Sequence, residues 1–240
     1  MNFTSHVRTI DDLTGPAGRL EALLNTGAPH APFSAVVAHP HPLFGGTMHN
    51  KVVYHAMKAF SHFGLPVLRF NFRGTGLSEG THDEARGEVN DVLAAIDYLH
   101  RKLPETAGKP VLMAGFSFGS NVGLRAACGD PRVAGLIGLG LPVQAAGRNY
   151  TYEFLGSCPQ PKLFVSGDHD EFCPANVLDE FLLAAPEPKQ RVIIAGADHF
   201  FQGIPGSPGA KLDQMQATLR AWLGETFPGL LDQAPESGSR

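Results

Sequence analysis

The chain has 240 residues, of which 43% are hydrophobic and 18% charged, and its formal net charge is −4. That balance allows a sizeable core and excludes global disorder. Its basic residues are scattered, which excludes an extended nucleic-acid face, and no apolar run approaches the ~20 residues that cross a bilayer.

The opening stretch, "MNFTSHVRTIDD", lacks the apolar core of a signal peptide, so a cytoplasmic chain is expected. "HVRTI" and "RLEALLNT" predict two strands separated by a turn at "LTGPAG". "FSAVVAHP" is an apolar run ending at prolines, and "LPVLRFNF" is another that leads into the glycine-punctuated "RGTGLSEG". Between them, "NKVVYHAMKAFSHFG" predicts a helix that stops at Gly64. In "EVNDVLAAIDYLHRKL", residues Val89, Val92, Leu93, Ile96 and Leu99 share one helical face. "PVLMAG", "VAGLIGLGLP", "KLFVSG" and "RVIIAG" follow as short apolar runs, each closed by glycine or proline. Helices are predicted between and after them, at "ANVLDEFLLAA" and "KLDQMQATLRAWLGETF". Strands alternating with helices predict a mainly parallel sheet covered on both faces. No linker divides the chain, so residues 1–228 are expected to form one domain and residues 229–240 a disordered tail. Cys128, Cys158 and Cys173 are an odd, widely spaced set, which argues against a disulfide framework and a zinc knuckle.

In such sheets the reactive side chains gather in loops beyond the carboxyl ends of the strands. "GFSFGSN", residues 115–121, lies at such a place. Ser117 stands one residue beyond the "VLMAG" run and opens an apolar helical stretch, with Gly115 and Gly119 two residues away on either side. A nucleophile on a sharp strand-to-helix corner needs small neighbours, and the new helix aims its amide dipoles at a developing oxyanion. The same five-residue pattern occurs at Gly76-Leu77-Ser78-Glu79-Gly80, but Ser78 sits beyond its strand in a polar loop, and no helix opens there.

A serine hydroxyl needs a base, and the base needs a carboxylate to orient it. Only His169 and His199 follow Ser117. His169 lies too early to follow an acid, whereas His199 comes just after the last apolar strand. For the acid, Asp170 is preferred over Asp168, which is close enough to the strand end to cap the local turn. Glu171 and Asp198 are weaker alternatives. The oxyanion donors are expected to be the amides of Phe118 and His41, because Pro40 and Pro42 have no N–H; Leu43 is the remaining option in that loop. Phe44, Met48, Leu141 and Phe200 are expected to line the substrate pocket, whereas Phe116 is expected in the core. His39, His41 and His49 do not make a convincing metal set, since no carboxylate or cysteine completes it, so neither metal nor cofactor is expected.

"AHPHPLFGGTMHNKVV" (38–53), "LRFNFRGTGLSEG" (68–80), "GFSFGS" (115–120), "GDHDEFCP" (167–174) and "GADHFF" (196–201) occur in the order found in the α/β-hydrolase superfamily. The chain resembles in particular the small, lidless bacterial serine hydrolases related to dienelactone hydrolases. The resemblance implies an α/β-hydrolase fold with about eight strands and no large lid, and a triad of Ser117, Asp170 and His199. It makes Arg73 structural. Dienelactone hydrolases proper carry cysteine where this chain has Ser117, which turns the expectation toward ordinary carboxylic esters. Residues 143–159, where this fold often inserts a lid, leave room for one short helix, with Tyr150, Tyr152 and Phe154 as a partial rim. The expectation is therefore a carboxylesterase for short acyl esters, with thioesterase, peptidase, acyltransferase and non-catalytic scaffold as alternatives. The expected partner is a small acyl ester, with a second copy of the chain as a candidate and neither nucleic acid nor membrane.

Overall fold

The computed structural model describes residues 5–145 and 147–233. The opening strands are β1 (Val7–Ile10) and β4 (Ala22–Asn25), and the predicted turn between them is itself a small hairpin of β2 (Thr14–Gly15) and β3 (Gly18–Arg19). Then come β5 (Ser34–Ala38), α1 (Lys51–Ser61), β6 (Val67–Phe70), α2 (Gly87–Asp97), β7 (Val111–Phe116), α3 (Phe118–Ala127) and β8 (Val133–Leu139). After a second small hairpin, β9 (Gln144–Ala145) with β10 (Arg148–Asn149), the chain continues through β11 (Lys162–His169), α4 (Ala175–Leu183), β12 (Lys189–Asp198) and α5 (Lys211–Thr226).

The main sheet has eight strands in the order β1-β4-β6-β5-β7-β8-β11-β12. Only β4 runs against its neighbours. From β5 the chain first builds outward to β6 and then returns to place β7 on the other flank of β5. A crevice opens at the carboxyl ends of strands where the winding reverses. The register there pairs Ala38 with Gly115, so the loop after β5 and the corner after β7 are neighbours.

Alternation along the central strands divides the core. Val36, Ala38 and Met113 face α2 and α3, packing with Val92, Ile96 and Val122. Ala35, Val37, Leu112, Ala114 and Phe116 face α1 and α5, with Val53, Phe60, Leu219 and Trp222. A parallel strand covered on both faces is apolar along nearly its whole length, and β5 and β7 are buried throughout, with Ser34 their one polar side chain.

Two expectations are corrected. Cys128 and Cys158 form a disulfide (S–S 2.02 Å), tying the end of α3 to the segment before β11; an odd count conceals one pair and a buried free thiol, Cys173. The segment expected to leave room for one short helix holds the β9–β10 hairpin and a five-residue 3₁₀ helix (Glu153–Ser157). Tyr152 is no rim residue, because it is 2% exposed and its hydroxyl donates to the Pro142 carbonyl. At the end of the domain, Pro228–Gln233 makes a 3₁₀ turn whose Leu230 is buried against the α5 side of the core; residues 234–240 of the expected 229–240 tail lie outside the described residues.

Candidate active site

Ser117 stands between β7 and α3 with φ 54° and ψ −121°, a backbone region costly for any residue with a Cβ. Close packing imposes it. A Cβ on Gly115 would run into the backbone of Gly119, and one on Gly119 into the carbonyls of His39 and Ala38. The corner is pinned by the Ser117 amide donating to the Leu139 carbonyl (2.9 Å). Its hydroxyl is left pointing off the sheet.

There it meets His199. Ser117 Oγ lies 2.9 Å from His199 Nε2, and His199 Nδ1 lies 2.9 and 3.0 Å from the two carboxylate oxygens of Asp170. Asp170 is held in turn by amides of its own loop, Phe172 (3.0 Å) and Cys173 (3.3 Å), which donate to Oδ1. The acid and the imidazole are almost wholly buried (3% exposure each). Gly140, at φ 50°, leaves room for the ring, since a Cβ there would stand 3.2 Å from His199 Nδ1. Phe172 and Phe200 set their edges against the same ring (centroids 4.5 and 5.2 Å apart).

The rejected candidates have other work. Asp168 accepts from the Gly196 amide (2.7 Å), linking β11 to β12, and pairs with His169, whose hydrogen bond holds its carboxyl below the usual range. Asp198 caps the turn after β12, accepting from the Phe200 and Gln202 amides. Ser78 is buried, its hydroxyl donating to the Asn71 carbonyl and accepting from the Glu21 amide. Cys173 is a poor candidate for a reactive thiolate: burial, and then the charge of Asp170, push its thiol up to about 12. Arg73 clasps Asp91 through its guanidinium and its backbone amide, a structural role as expected.

The loop after β5 narrows the choice of second amide. His41 Nδ1 accepts the Leu43 amide (3.2 Å), the Phe44 and Gly46 amides donate to the His41 carbonyl, and the Gly45 amide donates to that of Pro42. This leaves the His41 amide without an acceptor among the described residues, and the Phe118 amide is likewise free as the first of α3. His39 is a brace. Its Nδ1 donates to the Pro40 carbonyl (2.6 Å) and its Nε2 accepts the Phe72 amide (3.0 Å), while burial lowers its pKa to about 3.

A cavity of about 370 Å³ opens above Ser117 and His199, walled by Phe44, Phe172, Phe200 and Ala145. Of the four expected pocket residues, Phe44 and Phe200 are there. Met48 and Leu141 are not, which corrects both expectations. Met48 is 1% exposed, its amide donating to Asn71 and its carbonyl accepting from Arg69, and Leu141 is fully buried in the α2–α3 core. The sequence reading missed Phe172, Ala145, Asn50 and the backbone of Gly45 and Gly46 as lining. The signal for Phe172 was its position two residues after Asp170.

Comparison with known proteins agrees with this architecture. The alpha/beta hydrolase domain family matches residues 34–223. An uncharacterised protein of Rickettsia prowazekii is 37% identical over 194 residues, 78% of this chain and 80% of that one. Among solved structures, an α/β serine hydrolase homologue from Coxiella burnetii superposes with a TM-score of 0.77 at 33% identity, covering 93% of this chain and 99% of the other. A lidless α/β serine hydrolase of Xanthomonas campestris gives 0.75 at 29% identity, covering 95% and 97%. By the extent of the family match and the identity to its relatives, the chain belongs to the α/β-hydrolase family.

Proposed function

We propose that this hydrolase is a serine carboxylesterase acting on short acyl esters in the cavity above Ser117. The observation that carries the reading is the hydrogen-bonded series Ser117–His199–Asp170, with its serine at the floor of an apolar cavity. His199 Nε2 takes the Ser117 proton as Oγ adds to the ester carbonyl carbon. Asp170 fixes the Nδ1–H tautomer and stabilises the imidazolium. The carbonyl oxygen, now an anion, receives hydrogen bonds from the Phe118 and His41 amides, each good donor contributing about 3–4 kcal/mol. The tetrahedral adduct collapses, His199 returns its proton to the leaving alcohol oxygen, and an acyl-Ser117 ester remains. Water, deprotonated by His199, then repeats the addition and releases the acid.

The size of the acyl group follows from the walls. Phe44 and Phe200 are 68% and 42% exposed at the rim, and the 143–159 segment adds a hairpin and a turn in place of a lid. Each buried methylene is worth ~0.8 kcal/mol, so kcat/KM rises with acyl length only while carbons are covered, to about two to six carbons. A series of p-nitrophenyl esters measures this, with matched thioesters and amides alongside. Efficiency is expected to peak among short esters, with no jump when substrate droplets form. Efficiency still rising at long chains, or thioesters or amides outpacing esters, contradicts the proposed substrate.

A further inference from the structure

The two residues whose amides are assigned to the oxyanion share more than that role, for their side chains pack on each other. The His41 and Phe118 rings lie 4.8 Å apart, and a third ring, His82, touches both, at 5.0 Å from His41 and 5.6 Å from Phe118. His82 comes from the loop between β6 and α2, far from either in sequence.

What holds His82 is unusual for a surface loop. Its Nδ1 approaches Glu88 Oε1 at 2.9 Å, a close electrostatic contact outside hydrogen-bond alignment, with side-chain exposures of 7% and 0%. The same Glu88 oxygen accepts the Asp83 amide (2.7 Å), and the other has no partner among the described residues. On the far side, His82 Nε2 stands 3.5 Å from Nη1 of Arg148, the β10 residue whose Nη2 donates to Glu84 (3.1 Å). A fully buried, half-satisfied carboxylate costs stability, and the groups it does meet are the His82 ring and the Asp83 amide, which fasten this part of the loop. His41 is itself kept neutral, its pKa lowered to about 4 by burial and then by His82 and Arg148. A neutral ring can accept the Leu43 amide at Nδ1 and hold the loop in shape.

We propose that His82 is a positioning residue for the oxyanion pocket: its ring, by its packing alone, wedges the His41 and Phe118 side chains and so sets the spacing of their two amides. This deepens the serine-hydrolase reading and rests on it. His82 touches no reacting atom. Its effect appears where negative charge develops on the carbonyl oxygen and not where the neutral ester binds.

The test is His82→Ala, followed by kinetics on a short p-nitrophenyl ester and by binding of a trifluoromethyl ketone, which forms a hemiketal oxyanion on Ser117. Complete loss of one donor costs about 10²–10³ in rate, so misplacing both is expected to lower kcat about tenfold or more. KM is expected to stay within about twofold, and ketone affinity to fall by the same factor as kcat. The double variant His82→Phe with Glu88→Gln keeps a ring in place without stranding a buried carboxylate, and is expected to restore kcat to within about threefold. A folded His82→Ala protein with unchanged ketone affinity overturns the proposal. If His82→Ala does not fold, a folded double variant still deficient in kcat and ketone binding overturns it as well. Failure of the underlying reading looks different: wild-type protein that neither binds the ketone nor is labelled at Ser117 by a fluorophosphonate.

Discussion

Ser117 and Ser78 each stand between two glycines, one in the corner after β7 and the other in the loop after β6. At Ser117 the corner follows the strand at once, beside the reversal of winding, and α3 begins with the next residue. The backbone is forced to φ 54°, and the hydroxyl is offered to His199 at 2.9 Å. At Ser78 the chain has already left the sheet. Gly74, Gly76 and Gly80 take the positive φ angles, and the serine hydroxyl joins the Glu21 amide to the Asn71 carbonyl. One loop exposes its oxygen under strain, whereas the other buries it as a tie. A glycine-flanked serine gains its chemistry from what the flanking backbone is doing.

The contrast predicts that changes near the corner are read in turnover and changes in the glycine loop in stability. Beside the corner, Asp170→Asn is expected to lower kcat by about 10³–10⁴, because the His199 tautomer is no longer enforced. Asp168→Asn, which loosens a strand link, stays within about tenfold on the same ester. Equal losses in two folded proteins would show that Asp170 has no special claim.

In the glycine loop, the Arg73–Asp91 clasp is the main fastening. Asp91→Ala leaves a buried guanidinium alone and is expected to lower unfolding free energy by roughly 3–5 kcal/mol. Ser78→Ala removes the tie for about 1–3 kcal/mol and leaves kcat as it was. Urea titration measures both, and a fall in kcat at Ser78→Ala in folded protein would erase the contrast between the two loops.

His39 joins the regions, since its Nε2 takes the Phe72 amide at the entrance to the glycine loop. Its pKa is lowered from 6.5 to about 3 in the fold, so unfolded chains bind the proton first as pH falls. The stability it contributes is whole above about pH 6.5 and drains away toward pH 3, by a few kcal/mol. His39→Gln is expected to flatten that part of the stability–pH curve. An unaltered slope would mean that His39 does not carry the proton uptake.

Much of this was legible in the residues. The apolar runs and their glycine stops placed the sheet strands, and the Ser117, Asp170 and His199 positions followed from what ends each strand. What the sequence hid depends on contacts across the fold. Cys128 and Cys158 lie 30 residues apart and meet because α3 ends beside the turn that precedes β11. Met48 and Leu141 stand near pocket residues in sequence, but Met48 lies in the turn before α1 and Leu141 just after β8, and both side chains are packed into the interior. His82 carried no motif at all, and its place is visible only once rings from two loops and the start of α3 have converged.

The central claim is that Ser117 is the nucleophile, and covalent labelling tests it most directly. Protein incubated with a fluorophosphonate is digested and the adduct located by mass spectrometry, with ester turnover followed in parallel. The account predicts one adduct per chain, on Ser117, forming as turnover disappears, and a Ser117→Ala protein that folds, takes no label and has lost kcat by a factor on the order of 10⁴ or more. Label on Ser78, or full turnover by Ser117→Ala, would contradict it.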